Sequence, residues 1–316
     1  MTTADRPPLP LRLLSRLHGA AGDRVGRRLL AGLGVRRLSR AWLRRRVLPD
    51  ALEGPDDVTV LLGVRDRADH RIVNALASLA AQRCPGGTVR TLVVDWGSGE
   101  DAARFVEEAC REHGADYLRV AGPDTWSRSR CLNVGIRRAE TKYLLTADAD
   151  LVFSPDYVAD AVDLLRREPL SVVCAPMHDL PEESTEAAKR TARQGEPFPI
   201  DAWRDRATRR LDWDRHPSIG LAHTAFYQLI RGYDEFYEGW GWEDLDLFDR
   251  LVRLGLEART LETDSLYLHQ WHEKHEHLPR GADSDVIERN EARYRATRSI
   301  VRNGPWWGRA DGTAGG

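Results

Sequence analysis

The sequence predicts an α/β domain whose central sheet is mixed, mostly parallel and flanked by helices. Segments rich in β-branched and aliphatic residues alternate with segments of helical periodicity between residues 57 and 175. Such alternation is typical of parallel sheets that are covered on both faces. The chain has 316 residues, of which 41% are hydrophobic and 30% are charged. This length and this composition are sufficient for one large packed domain.

The individual elements follow from periodicity and from the residues that bound them. We predict strands over residues 57–64, 88–95, 116–120, 142–146 and 170–175, and helices over residues 69–82, 101–113, 129–139 and 155–166. Residues 178–217 are polar, charged and contain proline, so we expect a mobile or partner-binding excursion there. A helix over residues 242–254, ended by Gly255, and a strand over residues 265–268 complete the pattern.

Charge is distributed unevenly between the N-terminal segment and the rest of the chain. Residues 1–50 contain 12 arginines and three acidic residues, a net charge of +9, whereas the remainder carries 35 basic and 46 acidic residues, a net charge of −11. Leucines at near-helical intervals predict a basic amphipathic segment over residues 1–55. We expect one domain over residues 56–305, followed by a flexible tail over residues 306–316. The basic segment is suited either to an anionic membrane surface or to packing on the acidic domain.

The sequence also restricts location and partners. No stretch approaches the ~20 apolar residues of a membrane-spanning helix, and arginines interrupt the N-terminus where a signal peptide would be apolar. The four cysteines are widely spaced and form no metal or redox pattern, which favours reduced thiols. We therefore expect a cytoplasmic protein; peripheral contact at the inner face of the cell membrane is one of the two alternatives for its basic segment, and packing on the domain is the other. We expect no nucleic-acid partner, because the main domain is acidic.

A first candidate site is the triplet Asp148-Ala149-Asp150, which comes directly after the predicted strand 142–146. Ligands of open parallel sheets bind at the carboxyl ends of strands, and carboxylates two residues apart in an extended chain point to the same side. Such a pair can hold a hard divalent ion that neutralises a diphosphate. A D-x-D triplet is also common on solvated turns, so the triplet alone leaves both interpretations open.

A second candidate site combines aromatic, glycine and acidic residues over residues 236–246, which include Trp240, Glu243 and Asp244. Acidic residues in the first turn of a helix are favourable with the helix dipole by ~0.3–1 kcal/mol each, which would explain Glu243 and Asp244 without any function. Capping does not explain the tryptophans and glycines. An indole offers a platform for the apolar face of a sugar, and a neighbouring carboxylate is a natural general base for a sugar hydroxyl.

A third candidate site is His269-Gln270-Trp271-His272, after the predicted strand 265–268. A lone histidine is more often structural than a metal ligand, but this one lies in a local cluster with His275 and His277. An imidazole added to two carboxylates would suit Mn²⁺ as well as Mg²⁺.

Together these motifs resemble the GT-A glycosyltransferases of the broad family 2 group, and within it the branch of β1,4-galactosyltransferases and chondroitin-polymerase-like enzymes. The resemblance covers residues 58–278. Residues 64–67 (VRDR), 93–98 (VVDWGS), 128–135 (RSRCLNVG) and 239–244 (GWGWED) are similar to the group's Phe-Arg-x-Arg, VVDDGS, NRAKLLNVG and GWGGED segments. Four segments in this order and spacing, around a D-x-D triplet, are specific to the group.

The resemblance implies a role for each matching residue. Implied donor or substrate contacts are made by Arg65, Arg67, Asp95, Arg128, Asn133, Asp148 and Trp240. Implied ligands of Mn²⁺ or Mg²⁺ are Asp148, Asp150 and His269. Asp244 is the implied catalytic base, and Glu243 is an alternative base or a residue that orients the substrate.

Two departures from the group affect substrate recognition. Trp96 stands where relatives carry a second aspartate that often contacts uracil, so Asp95 or the Trp96 indole would have to help hold the base, and uridine specificity is less secure. Trp242 replaces a glycine of GWGGED, a change expected to reshape the acceptor pocket.

The implied function is inverting, metal-dependent transfer of a hexose from a UDP-sugar to a hydroxyl of a saccharide or glycolipid acceptor, as in polysaccharide biosynthesis. In the GT-A fold, a Rossmann-like nucleotide half is merged with an acceptor half. One alternative is a nucleotidyltransferase, although residues 63–67 do not form the Gly-rich phosphate loop it would normally carry. Another is a catalytically silent carbohydrate-binding or scaffold protein, against which the D-x-D triplet and the Glu-Asp pair argue.

Overall fold

The centre of the domain is a seven-stranded mixed sheet. The computed structural model describes residues 35–121, 125–209, 219–273, 283–296 and 299–310. Numbered along this part of the chain, the strands are β1 (Val58–Val64), β2 (Val89–Trp96), β3 (Asp116–Val120), β4 (Tyr143–Ala147), β5 (Leu151–Phe153), β6 (Ser171–Cys174), β7 (Met177–Asp179), β8 (Thr208–Arg209), β9 (Gly220–His223), β10 (Glu257–Thr260) and β11 (Tyr267–His269). The large sheet has the order β10-β6-β9-β4-β1-β2-β3. Only β9 runs antiparallel to its neighbours in this described sheet, which confirms the predicted α/β class.

Helices cover both faces of this sheet. In the same described ranges they are α1 (Val35–Arg46), α2 (Leu48–Ala51), α3 (His70–Ala80), α4 (Glu100–Glu112), α5 (Arg128–Arg138), α6 (Tyr157–Arg167), α7 (Thr185–Gln194), α8 (Ile200–Trp203), α9 (Thr224–Leu229), α10 (Glu243–Leu254) and α11 (Asp283–Ala296). Val60 and Leu62 of β1 belong to one apolar cluster and Leu61 to another, as expected for a strand buried on both faces. The five predicted helices are present, each end within two residues of its predicted position.

The predicted excursion over residues 178–217 is instead folded as far as Arg209. A second sheet, with the order β5-β11-β7-β8, packs with α7 and α8 around a small apolar core. Asn74 of α3 holds α7, because its Nδ2 donates to the carbonyl of Ala188 at 3.0 Å and its Oδ1 accepts from Thr191 at 3.2 Å. Elements of two to ten residues with exposed outer faces show little apolar periodicity. The sequence of this segment therefore resembles that of a loop. Residues 210–218 lie outside the described part.

The described part of the basic segment packs at the end of the sheet where strands β6 and β10 begin. Leu43 of α1 is fully buried, and Ser39 donates to the carbonyl of Leu254 at the end of α10. Arg40 donates to the carbonyl of Gly255 at 3.0 Å. The rest of the predicted segment, residues 1–34, lies outside the described residues. Within the described ranges, no helix combines the length and the apolar character needed to cross a bilayer.

The packed chain continues past residue 305, where the predicted flexible tail begins. Trp307 is buried in the apolar cluster that includes Leu132 and Ile136 of α5, and Arg137 donates to its carbonyl. Residues 306–310 therefore belong to the folded domain. Residues 311–316 lie outside the described part of the chain.

Candidate active site

The candidate active site lies where β4 ends. Asp148 follows β4 directly, and Asp150 immediately precedes β5. The Asp148 side chain is 35% exposed and that of Asp150 is 9% exposed. Asp148 faces Arg128, whereas Asp150 faces Arg67 and two histidines. The two carboxylates of the triplet therefore lie at one strand end but have different partners.

Asp150, His269 and His272 form a candidate metal site. One ligand atom from each lies within 4.8 Å of the others. Oδ1 of Asp150 is 3.9 Å from Nε2 of His269, and Oδ2 is 3.8 Å from Nε2 of His272. Oδ1 is buried and accepts no hydrogen bond from the described residues, as expected for a carboxylate oxygen reserved for a cation. A carboxylate with two imidazoles suits Mn²⁺, so these residues fit a divalent ion.

This group differs in one member from the predicted ligand set. Asp150 and His269 were predicted as ligands, whereas His272 belongs to the third motif but was assigned no role. The remaining predicted ligand, Asp148, directs Oδ1 at Arg128 instead. The sequence signal for His272 was its spacing of three residues from His269, and the turn after β11 brings the two rings to a centroid distance of 5.0 Å.

Residues outside the predicted site orient this group. Nδ1 of His269 lies 3.0 Å from Oδ1 of Asp179, at the end of β7. Burial opposes protonation of His269, but Asp179 and Asp150 raise its pKa above the ordinary value. The carbonyl of Asp150 accepts from the backbone N–H of Gln270 at 3.0 Å. A partner such as Asp179 fixes the orientation of an imidazole ligand, and the Gln270 bond fixes the backbone at Asp150.

Arg128 joins the D-x-D triplet to the acidic pair of the second motif. Its Nε and Nη2 lie 2.9 and 2.8 Å from Oδ1 of Asp148, and its Nη1 lies 2.5 Å from Oδ1 of Asp244. The guanidinium also lies over the ring of Tyr233, with Cζ 5.5 Å from the ring centroid. Because a nearly buried charge is stable only when it is paired, Arg128 holds carboxylates from β4 and α10 close together.

Glu243 and Asp244 begin α10 beside this arginine. Glu243 is 7% exposed, and the Asp244 side chain is 21% exposed. Burial raises the pKa of the Asp244 carboxyl, and Glu243 raises it further, against the opposing charge of Arg128. Burial likewise raises the pKa of Glu243. A carboxylate whose pKa is raised toward neutrality is a better proton acceptor.

The loop before α10 carries two tryptophans in different environments. Trp240 is 56% exposed and is available to a ligand. Trp242 has a φ of +74°, in the left-handed region that favours glycine, and glycine is the residue that the resembling GWGGED segment carries there. The Trp242 indole stacks on Tyr294 of α11 with a centroid distance of 5.2 Å. Trp242 therefore keeps a backbone conformation typical of glycine, while its ring packs against α11 outside the loop.

Of the two predicted donor contacts after β1, Arg67 lies near the D-x-D triplet. Nη2 of Arg67 is 3.6 Å from Oδ2 of Asp150, so Arg67 borders the candidate metal site. Arg65 follows β1, and its Nε is 3.9 Å from Asp66. Asp66 has a φ of +53° and is held by a hydrogen bond of 2.8 Å from its N–H to Ser98.

Two other predicted substrate contacts, Asp95 and Asn133, are hydrogen-bonded to protein partners in this fold. Asp95 is fully buried, and its carboxylate accepts from the N–H of Ser98 at 2.9 Å and from Tyr117 at 2.5 Å. Asn133 is also fully buried and holds the turn at Tyr233, donating to its carbonyl at 2.9 Å and accepting from its N–H at 2.8 Å. Their hydrogen-bonding groups are used within the protein. Ser98 lies three residues from Asp95, whereas Tyr233 lies 100 residues from Asn133, so the sequence could not reveal the second of these contacts.

Trp96 does not replace the missing aspartate as a contact to the base. Its side chain is fully buried, and its Nε1 lies 3.4 Å from the carbonyl of Thr125. The indole fills the apolar cluster under β2 and has no face available to a nucleotide.

This geometry agrees with the family to which the sequence belongs. Residues 65–275 match the model of a family described as glycosyltransferase like family 2. The match covers more than half of the chain, so the protein belongs to glycosyltransferase-like family 2. It carries a glycosyltransferase domain with the GT-A arrangement. A comparison with curated proteins finds no match.

Among solved structures, the chain is similar to TarS of S. aureus. TarS matches with a TM-score of 0.48 and 18% identity, over 68% of this chain and 37% of TarS. TarS 1–349 in complex with UDP matches with a TM-score of 0.49 and 16% identity, over 68% of this chain and 60% of that one. Its complex with UDP-GlcNAc gives 0.47 and 17%, over 69% and 59%. This chain therefore spans between 37% and 60% of the length of these TarS chains.

Proposed function

We propose that the domain catalyses inverting transfer of a hexose from a UDP-sugar to a hydroxyl of a saccharide or glycolipid acceptor, with Mn²⁺ or Mg²⁺ at the candidate metal site. The observation that supports this most is the arginine bridge from Asp148, at 2.8 Å, to Asp244, at 2.5 Å. Through Arg128, a candidate base on α10 lies beside the strand end at which ligands of such sheets bind.

The donor side of the proposal uses residues around Asp150. Asp150, His269 and His272 would hold the divalent ion. When bound there, the ion would supply positive charge against the diphosphate of the donor. Arg67, 3.6 Å from Asp150, and Arg65 would contribute further positive charge to the nucleotide. Asp148 stays a candidate donor contact and a candidate further ligand.

On the acceptor side, Asp244 would take the proton of the acceptor hydroxyl. The oxygen of that hydroxyl forms a bond to the anomeric carbon while the bond from this carbon to UDP breaks, and UDP leaves with the electron pair. Attack from the face opposite to UDP inverts the anomeric configuration. Glu243, buried beside Asp244, would orient the acceptor or act as the alternative base. The exposed indole of Trp240 would stack on a sugar.

A screen of nucleotide sugars by thermal shift, with and without Mn²⁺, tests the donor part. A ligand that binds the folded state raises the unfolding temperature, so we expect UDP-sugars to do so more strongly with Mn²⁺. Incubation of the best donor with saccharide and glycolipid acceptors should then release UDP and form a product of inverted configuration, measured by NMR. Transfer of UMP from the UDP-sugar with release of sugar 1-phosphate would instead identify a nucleotidyltransferase. Binding without turnover of any donor, by transfer or hydrolysis, would identify a silent binding protein.

Membrane contact through residues 1–50 is the remaining part of the proposal. α1 packs at the end of the sheet where β6 begins. Because β4 runs in the same direction as β6 and is followed by Asp148, α1 lies at the opposite end of the strands from Asp148. Its outward face carries Arg37, Arg44, Arg45 and the 69%-exposed Leu38, a combination suited to anionic lipid. A membrane held there would lie on the far side from the active site, which favours acceptors that extend away from the bilayer.

Co-sedimentation with anionic liposomes at low salt tests this contact. The matched pair is R37E/R44E/R45E and R83E/R104E/R295E, which make the same charge change at exposed positions on other elements. We expect wild type and the second variant to pellet and the first variant to stay in the supernatant. Equal behaviour of the two variants would contradict membrane contact through α1.

A further inference from the structure

One helix that follows the family-matched segment contacts the candidate acceptor loop. The family match ends at residue 275, and α11 begins at Asp283. Its side chains nevertheless reach residues 238–242, which carry Trp240 and lead into Asp244. We propose that α11 is a positioning element of the active site that holds this loop in the conformation presenting Trp240 and Asp244 to an acceptor. The roles of those two residues rest on the proposed function.

Asn290 is the principal contact between α11 and the loop. It is fully buried, and its Nδ2 lies 3.0 Å from the carbonyl oxygen of Glu238, 3.3 Å from that of Trp240 and 3.2 Å from that of Gly241. A loop that turns sharply leaves carbonyl groups without strand or helix partners, and burying them unpaired is unfavourable. The amide of Asn290 shares its two hydrogens among these three carbonyls, so one side chain fixes most of the loop backbone.

Tyr294, one helical turn further along α11, stabilises the end of the loop. Its ring stacks on Trp242 at 27° between planes, and its hydroxyl donates to Asp249 of α10 at 2.6 Å. Trp242 is the residue with the left-handed backbone conformation immediately before Glu243. A non-glycine residue in that conformation persists only where its surroundings hold it. The stack on Tyr294 is a contact that helps to hold the Trp242 side chain.

The loop backbone approaches α11 directly at Gly239. Its φ is +65°, and a Cβ there would lie 3.0 Å from Cγ1 of Val286. On its other side the loop is held by the start of α5, because the N–H of Gly239 donates to the carbonyl of Trp126 at 2.9 Å and Ser127 donates to the carbonyl of Tyr237 at 2.7 Å. The loop therefore lies between α5, which carries Arg128, and α11. Removing the α11 contacts leaves only one side fixed.

The test uses four single substitutions in the full-length protein. Asn290→Ala removes the shared amide, and Tyr294→Ala removes the ring. Tyr294→Phe keeps the ring and removes the hydroxyl that donates to Asp249. Arg295→Ala is the matched control, since this side chain is 71% exposed and pairs with Glu291 of the same helix.

The first measurement is amide hydrogen exchange of the peptide spanning residues 236–246, without substrate. We expect about tenfold faster exchange in Asn290→Ala and Tyr294→Ala, because local opening becomes easier, and exchange near wild type in Tyr294→Phe and Arg295→Ala. The peptide spanning residues 147–153 should not change in any variant. This result does not depend on sugar transfer, so it separates the loop-holding role from the proposed function.

The second measurement is transfer kinetics. We expect the acceptor KM to rise about 10–10²-fold in the two alanine variants, the usual scale for misplacing a binding group, while the Kd of the UDP-sugar and its slow hydrolysis by water stay within about twofold. Unchanged exchange in both alanine variants would overturn the proposal. Parallel loss of donor affinity and acceptor use would also overturn it, since that pattern indicates general unfolding. If Asn290→Ala does not fold, the Tyr294 pair decides alone.

Discussion

Asp150 and Asp244 lie at the same edge of the sheet, but their surroundings shift their pKa values in opposite directions. Burial opposes ionisation of Asp150, yet His269 and Arg67 lower its pKa below the ordinary value. Burial together with Glu243 raises the pKa of Asp244 above the ordinary value, despite Arg128. We call the group Asp150, His269 and His272 the metal side, and the group Arg128, Asp148, Glu243 and Asp244 the base side.

This difference indicates a division of work. A carboxylate that stays ionised is suited to a cation, and one that binds protons more readily is suited to general base catalysis. The base side has three carboxylates around one arginine, whereas the metal side surrounds one carboxylate with imidazole and guanidinium groups. Substitutions on the metal side should therefore impair binding of Mn²⁺ and UDP, whereas substitutions on the base side should impair transfer.

The largest expected effect is that of Asp150→Ala. Loss of the carboxylate that both histidines face removes the ion, so transfer should be abolished and Mn²⁺-dependent UDP binding lost. In EDTA, UDP binding by the variant and by wild type should be similarly weak. Calorimetric titration of Mn²⁺ and of UDP, with and without EDTA, measures both effects. Full turnover by this variant, or by wild type in EDTA, would remove the metal side from the mechanism.

The next largest effect is expected for Asp244→Asn. It removes the proposed base but keeps its volume, so transfer should fall by about 10²–10⁴-fold, while Mn²⁺ and UDP-sugar affinity stay near wild type. Glu243→Gln should be milder, because Glu243 only orients the acceptor in the favoured assignment. A reversed ranking would move the base to Glu243. If both variants stay active, the pair merely begins a helix and the base side has no catalytic role.

The fold could be predicted from sequence where elements were long and periodic. The parallel strands and the helices over residues 69–82 and 101–113 follow from apolar patterns that a buried sheet enforces. The small sheet could not be predicted in the same way, because β5, β7 and β11 have three residues each. Three residues contain too little pattern to distinguish a strand from a loop. α11 was missed because its apolar positions are few and its main contacts are polar, through Asn290 and Arg293.

The site could be predicted where a motif lies in one continuous segment. The D-x-D triplet, Arg128 and the Glu-Asp pair lie together in the structure, and their roles stay predictions. Asp179 could not be foreseen, since it reaches His269 only through the pairing of β7 with β11. Asp95 and Asn133 are motif residues whose buried side chains are bonded to protein partners, among them Ser98 close by in sequence and Tyr233 100 residues away. Sequence motifs therefore point to candidate acidic residues, whereas a residue such as Asp179, which contacts His269 across two strands, needs the structure.

A smaller effect is expected for Asp179→Asn, which tests whether the metal side depends on its outer contacts. Asp179 accepts from Nδ1 of His269 at 3.0 Å, and loss of such a partner usually costs about 10–10²-fold in metal affinity. Transfer should recover at saturating Mn²⁺, unlike that of Asp150→Ala. Mn²⁺ titrations of activity measure this, with the exposed Asp201→Asn as control. Equal Mn²⁺ requirements in wild type and Asp179→Asn would show that the His269 contact is irrelevant to the ion.

The smallest expected effect on catalysis is that of Trp240→Ala, which tests whether the base side extends to a sugar-binding surface. The 56%-exposed indole would contribute about one stacking contact, and loss of ~1.4 kcal/mol corresponds to about tenfold. We expect the acceptor KM to rise by about that factor, with donor affinity unchanged, because Trp240 lies on the loop that leads into α10 and the base side. Trp306→Ala is the matched control, since Trp306 is 51% exposed and lies beyond the far end of α5.

If Trp240→Ala instead weakens UDP-sugar binding, the indole contacts the donor and Trp240 must be assigned to the metal side. If neither acceptor nor donor use changes, the indole has no ligand and Trp242, in its unusual backbone conformation, becomes the next aromatic residue to substitute.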